Sequence, residues 1–249
     1  MKKIIALVLV AMFVMTGFAM AAEKLTLATN VAFPPYEFYD DTTGEATGID
    51  IEIAKAIAAK LGYEIDVKDI DFGAIVPAVQ AGKYDFAAAG MTVTEERAQM
   101  VNFTDTYAIG IQVVIVPADS EYETIYDIVE AKGSVKIAVQ QDTTGDIYTS
   151  DEFESAGTGT VDRYKSGADA VLALTSGKVD CVVIDNEPAK NFVKVNEGLK
   201  ILDSAYTEEE YAMAFPKDSE IYEAFNAALA ELIADGTVQS IVDTFIPAE

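Results

Sequence analysis

Residues 71–105, DFGAIVPAVQAGKYDFAAAGMTVTEERAQMVNFTD, run as helix, turn, strand and then a loop that carries an arginine. Ile75, Val79 and the flanking alanines give a short apolar helical face, and Gly82 with Lys83 beside it marks the helix end. Tyr84 to Ala89 is a small apolar strand, too smooth for a solvated edge. Gly90, Met91, Thr92 and Val93 follow, then Thr94-Glu95-Glu96-Arg97. Small residues at a strand end, a hydroxyl and an arginine make a carboxylate grip, because the guanidinium presents a planar fork of donors that fits a carboxylate with two bonds.

The order F-x-x-x-x-P-A-x-x-x-G-K-x-D, then G-M-T-x-T-x-E-R, then F-T-D-x-Y resembles the amino-acid-binding class of periplasmic solute-binding proteins, the family 3 receptors of ABC importers. The resemblance covers nearly the whole chain after its leader. It implies an α/β, two-lobed periplasmic binding protein-like fold of type II. Each lobe is then an α/β sheet flanked by helices, and a two-segment hinge joins the lobes.

Composition narrows the function independently. The 249 residues hold 42 acidic against 17 basic side chains, a net charge of −25. Nucleic acid and anionic membrane surfaces need lysine and arginine patches, so neither is an expected partner. With no histidine and one cysteine, histidine-based zinc sites, Ser-His-Asp and Cys-His catalysis and intrachain disulfides are excluded. No metal and no cofactor is expected. Residues 1–21 read as a cleavable signal peptide, with Lys2-Lys3, an apolar core from Ile4 to Val14 and Ala19-Met20-Ala21. No cysteine follows the apolar run, so no lipid anchor is expected, and the product should be periplasmic.

Leu25 to Thr29 is a short strand, followed by the stiff aromatic loop Asn30-Val31-Ala32-Phe33-Pro34-Pro35-Tyr36-Glu37-Phe38. The stripe Ile49, Ile53, Ile57 and Leu61 predicts a helix closed by Gly62. Tyr63 to Val67 is the second strand and leads to Phe72. The resemblance places Asn30 and Phe33 in one wall of a ligand pocket and Phe72 opposite, so that the ligand side chain lies between two rings. Tyr107 to Pro117 is a long apolar strand, read as the first crossing between lobes, and Ser120 to Lys132 as an amphipathic helix. Glu197 to Tyr211 is irregular and acidic, with Glu208-Glu209-Glu210 expected to be a solvated run. Tyr211 to Pro216 reads as a strand, Asp218 or Ser219 to Ala234 as a helix, and Val238 to Ile246 as the last one.

The second half repeats the plan of the first. VKIAVQ from Val135 matches LTLAT from Leu25, and both copies pass G-K-x-D into a strand, DFAAAG and DCVVID. Five residues beyond each aspartate stand Gly90 and Asp185, both at strand ends where ligands of α/β sheets bind. A zwitterionic amino acid needs a cation and an anion a few Å apart. Arg97 suits its carboxylate, with the Thr143 and Thr144 hydroxyls and nearby N–H groups as further donors. Asp185 suits its ammonium, with Thr92 and the Gly90 carbonyl accepting beside it. Met91 belongs to the same loop. Each of these matches a position that the resembled family uses.

The expected boundaries are therefore residues 22–108 and 211–249 for lobe 1 and residues 109–210 for lobe 2. The expected partners are a free amino acid and an ABC permease in the inner membrane, with the protein a monomer. Family members that bind cationic amino acids often carry aspartate at the Asn30 position, so asparagine there points to a polar or uncharged ligand side chain. Two alternatives use the same fold. One is a cyclohexadienyl or arogenate dehydratase, for which Glu37, Asp142 and Glu187 are the candidate acids. The other is the ligand-binding partner of a sensory receptor.

Overall fold

A computed structural model describes residues 22–247, and the expected leader lies outside them. The first apolar run forms β1 (Glu23–Thr29). A hairpin of β2 (Phe38–Tyr39) and β3 (Ala46–Thr47) follows. Helix α1 (Ile49–Leu61) buries Ile49, Ile53 and Ile57 and ends at Gly62 in the left-handed conformation, as the apolar spacing and the glycine predict. Next come β4 (Tyr63–Asp69), α2 (Phe72–Gln80) and β5 (Phe86–Ala87). Regular pairing in β5 is thus shorter than the apolar run Tyr84–Ala89, since at Asp85 the carboxylate takes the Thr26 N–H at 2.7 Å. Helix α3 (Glu95–Met100) is N-capped by the Thr94 hydroxyl. Arg97 therefore stands on a short helix and not on a loop. Strand β6 (Asn102–Phe103) completes this half.

The long strand β7 (Ala108–Pro117) is followed by α4 (Ile125–Lys132), β8 (Val135–Gln140) and α5 (Thr144–Thr149). The helix expected from Ser120 starts later because Thr124 and Asp127 form a reciprocal capping box that fixes its first turn. A π-helical turn at Ser150–Glu154 leads to β9 (Gly159–Tyr164), α6 (Gly167–Thr175), β10 (Cys181–Asp185) and α7 (Asn186–Val195). The acidic stretch expected to be irregular holds β11 (Leu199–Ile201) and β12 (Thr207–Tyr211). Glu209 is not solvated. Within β12 successive side chains alternate faces, so Glu208 and Glu210 are exposed while Glu209 and Tyr211 point inward. The strand expected over Tyr211–Pro216 is split, because β12 ends at Tyr211 and the separate β13 (Ala214–Phe215) belongs to another sheet. Helices α8 (Tyr222–Ala234) and α9 (Thr237–Phe245) close the chain.

Besides the β2-β3 hairpin, two larger sheets result among the described residues, in the orders β4-β1-β5-β13-β6 and β11-β7-β10-β8-β9, with β12 also paired to β7. The repeat seen in the sequence is a repeat of topology: β1 lies between parallel β4 and β5, and β8 between parallel β9 and β10. The two G-K-x-D aspartates do the same job in each copy. Asp85 accepts the N–H of Thr26 in β1, and Asp180 that of Lys136 in β8. The chain passes from the first sheet to the second between β6 and β7 and returns between β12 and β13.

The first sheet is packed on one face by α1 and α8 around Leu27, Phe86, Phe215 and Phe225, and on the other around Ile75, Val79 and Met91. Phe86 and Phe215 stack with centroids 5.1 Å apart. In the second sheet Val114, Ile137, Val183 and Phe153 form a separate apolar layer, which includes the buried Cys181. Among the described residues no helix is long and apolar enough to cross a membrane.

Candidate functional site

The C-terminal ends of β1, β5, β8 and β10 converge, as expected at the switch points of parallel sheets. They enclose a narrow cavity lined by Asn30, Phe33, Glu37, Phe72, Ala89, Gly90, Thr92, Arg97, Gln140, Thr143, Thr144 and Asp185. All the expected site residues except Met91 are in that lining. In the extended segment after β5, side chains alternate: Gly90 and Thr92 face the cavity, while Met91 is fully buried in the core between α2 and β5. Its carbonyl is engaged by the Ala212 N–H.

Arg97 is 7% exposed and, among the described residues, pairs with no carboxylate. Its Nη1 donates to the Thr92 carbonyl at 2.9 Å and its Nη2 to the Asp142 carbonyl at 3.0 Å. Its guanidinium carbon lies 5.4 Å from the Phe72 ring centroid. Burial lowers the Arg97 pKa, and the nearby Glu209 charge opposes that. A guanidinium has five N–H donors, so carbonyls aim the fork without consuming it. A buried cation without a counter-ion is costly, and the open side of this one is the cavity.

Asp185 closes the opposite side. It stands at the start of α7 yet makes no side-chain cap there. Its Oδ2 instead accepts from Gln112 Nε2 at 2.8 Å, and its Oδ1 is buried with no partner. Burial, reinforced by Glu209, raises its pKa well above the usual carboxylate range. Such a group binds an ammonium better than it binds nothing, because the cation offsets the cost of keeping the carboxylate charged.

Phe33 is held by the loop before it and stacks on Tyr36 at 5.9 Å. Gly90, at φ 52°, lies beneath it: a Cβ there would come 3.0 Å from Phe33 Cε1. The Gly90 N–H donates to Asp50 Oδ2 at 2.7 Å. Asp50, fully buried at the head of α1, has its pKa pushed up to about 6 by burial, against the pull of that hydrogen bond. Thr143 spends its hydroxyl on the Gln140 carbonyl (2.7 Å) and caps α5 through the Asp146 N–H. Thr144, buried, follows it in the lining.

Asn30 is a strut. Its Nδ2 donates to the Ile70 carbonyl, and its Oδ1 accepts from Gln140 Nε2, both at 2.9 Å. That second bond joins the first sheet to the second, as the Arg97–Asp142 bond does. Gln140, Glu37 and Ala89 are the lining residues that sequence reasoning left out of the ligand-binding set. Gln140 ends the strand equivalent to β1 at the place equivalent to Asn30's neighbourhood, which is the signal that could have found it. Glu37 is 1% exposed with Oε2 unpartnered. Burial first, then the Asp50 and Asp185 charges, raise its pKa well above normal. Arg163 faces away and binds Asp146, Ser150 and Glu154. No cluster of Cys, Asp and Glu able to hold a metal occurs among the described residues.

The profile of bacterial extracellular solute-binding proteins, family 3, matches residues 25–248. The chain is 30% identical over 237 residues to the arginine-binding extracellular protein ArtP of Bacillus subtilis, covering 94% of this chain and 90% of that one. It is 31% identical over 253 residues to ABC transporter arginine-binding protein 1 of Escherichia coli, covering 99% and 100%. An ancestral arginine-binding protein bound to arginine superposes with a TM-score of 0.81 at 37% identity, covering 89% of this chain and 97% of that one.

Proposed function

Because the chain belongs to the bacterial extracellular solute-binding proteins of family 3, we propose that it captures a free amino acid between its two sheets and delivers it to the permease of an ABC importer. The fold is the two-lobed α/β type II binding-protein fold, mixed sheets flanked by helices. The observation that carries the amino-acid reading is one cavity with an unpaired buried guanidinium, Arg97, on one side and a carboxylate with an orphaned oxygen, Asp185, on the other. A zwitterion satisfies both at once.

In this reading lobe 1 comprises residues 22–108 and 211–249, and lobe 2 residues 109–210. The two backbone crossings act as a hinge, and the protein works as a monomer in the periplasm. Closure brings Asn30 to Gln140 and Arg97 to the Asp142 carbonyl, which desolvates both ligand charges and sharpens discrimination.

The ligand side chain lies between Phe33 and Phe72 and reaches polar groups. Asn30, its amide spent on Ile70 and Gln140, leaves the choice of side chain to its neighbours. Glu37 adds a carboxyl that would accept from any N–H donor, and an ionised Glu37 pairs with a cation. L-Arginine, bound by the relatives above, and L-glutamine are thus the first candidates, and they differ by the charge that Glu37 would answer. A thermal-shift screen against the twenty amino acids tests the proposal. One or a few should raise the melting temperature by several degrees, since a ligand at 100 to 1,000 times its Kd stabilises by roughly 3–4 kcal/mol. No shift with any of them would defeat it.

A second reading, turnover of prephenate or arogenate, has Glu37 in its favour, as a carboxyl whose pKa burial raises, beside a cavity, suits a general acid. Of the other candidate acids, Asp142 is outside the lining and Glu187 pairs with Lys190 at 2.6 Å. Turnover of either compound, lost in Glu37→Gln, would establish that reading; its absence would leave binding alone.

A further inference from the structure

Glu209 is a buried acid that the ligand reading leaves unused. It is 4% exposed, outside the cavity lining, and stands on β12, one of the two strands by which the chain crosses between sheets. Its Oε2 takes two bonds: from the Thr92 hydroxyl at 2.8 Å and from Gln112 Nε2 at 3.1 Å. The same Gln112 nitrogen donates to Asp185 Oδ2 at 2.8 Å. One amide NH2 thus holds two carboxylates, and each of these keeps one oxygen without a partner, Asp185 Oδ1 and Glu209 Oε1.

The chemistry of these groups fixes directions. The Thr92 hydroxyl gives its proton to Glu209 Oε2. Its lone pairs are then left for a donor in the cavity that Thr92 lines. The Gln112 amide likewise faces both acids with its nitrogen. The charged and titratable groups facing Glu209 are Arg97, Asp185 and Tyr148.

We propose that Glu209 is a positioning residue of the ammonium subsite: it holds the Thr92 hydroxyl as an acceptor, anchors Asp185 through the shared Gln112 amide, and adds a second negative charge behind them. The ligand group concerned is a primary α-ammonium. This rests on the amino-acid reading above and adds to it a link between the ligand's charge and a crossing strand.

Calorimetric titration tests it, using L-arginine and δ-guanidinovalerate, which lacks only the α-amino group, with wild type, Glu209→Gln, Glu209→Asp and Thr92→Val. If the thermal screen returns L-glutamine instead, the pair is L-glutamine and glutaramate. Glu209→Gln should weaken the amino acid by about tenfold or more and the amine-free analogue by less than about threefold. Thr92→Val should show the same selective loss, and Glu209→Asp should recover part of the affinity. An unchanged affinity, or an equal loss on both ligands, overturns the proposal, since a merely structural role would weaken both alike. If Glu209→Gln does not fold, Thr92→Val decides by the same comparison. Failure of the amino-acid reading itself is seen earlier and separately, as wild type binding no amino acid.

Discussion

Gly90 shows how closely the site depends on single residues. Its φ of 52° is a left-handed conformation that a side chain resists, and a Cβ would press on Phe33 at 3.0 Å. Gly90→Ala is expected to destabilise the protein by roughly 1–2 kcal/mol, measured by urea unfolding, and to weaken the ligand by shifting the Phe33 wall. Residues of this kind were partly legible from sequence. Asp185 was, because the internal repeat put it at a strand end, and Arg97 was, because a hydroxyl and an arginine follow the matching strand end at Gly90. Met91 was misplaced, since its neighbours' roles do not reveal which way an alternating segment faces. Glu209 was hidden by its neighbours: three consecutive glutamates read as solvent-facing, whereas strand parity puts the middle one on the side of Tyr211.

At the scale of elements, the ends of α4 and the placement of α3 were set by caps. Thr124 and Asp127 cap each other's backbone at the start of α4, far from the cavity lining. Thr124→Ala should therefore cost about 1 kcal/mol of stability and leave ligand affinity unchanged. Chemical denaturation together with a ligand titration checks both halves of that statement. The sequence carries the strand–helix–strand repeat well, because G-K-x-D recurs and its aspartate performs the same backbone capping in both copies. It carries the crossing strand β12 poorly. That strand is held by antiparallel pairing with β7, a long-range partnership that leaves no periodic apolar signal in TEEEY.

Across the whole molecule, buried acids outnumber buried cations around the cleft. Burial raises the pKa of Glu37, Asp50 and Asp185, in the case of Asp50 to about 6. In each case the folded state holds a proton that the unfolded chain gives up at lower pH. The resulting stability is present at mildly acid pH and is lost as pH rises through the folded pKa. The urea midpoint of the ligand-free protein should accordingly fall between pH 5 and pH 8. Asp50 alone supplies roughly 1.4 kcal/mol of that fall, because only about one pKa unit of its rise lies above pH 5. Asp50→Asn should flatten the curve, and a midpoint that rises toward pH 8 would contradict this account of the cleft.

The central claim is that Arg97 and Asp185 together grip the two charges of one amino acid. Isothermal titration of wild type, Arg97→Ala and Asp185→Asn with the amino acid found by the thermal screen tests it most directly. Removing one partner of a buried charge pair costs about 2–5 kcal/mol, so each variant should bind at least about thirtyfold more weakly. Wild-type affinity in either variant would mean that the ligand is held elsewhere and that the claim is wrong.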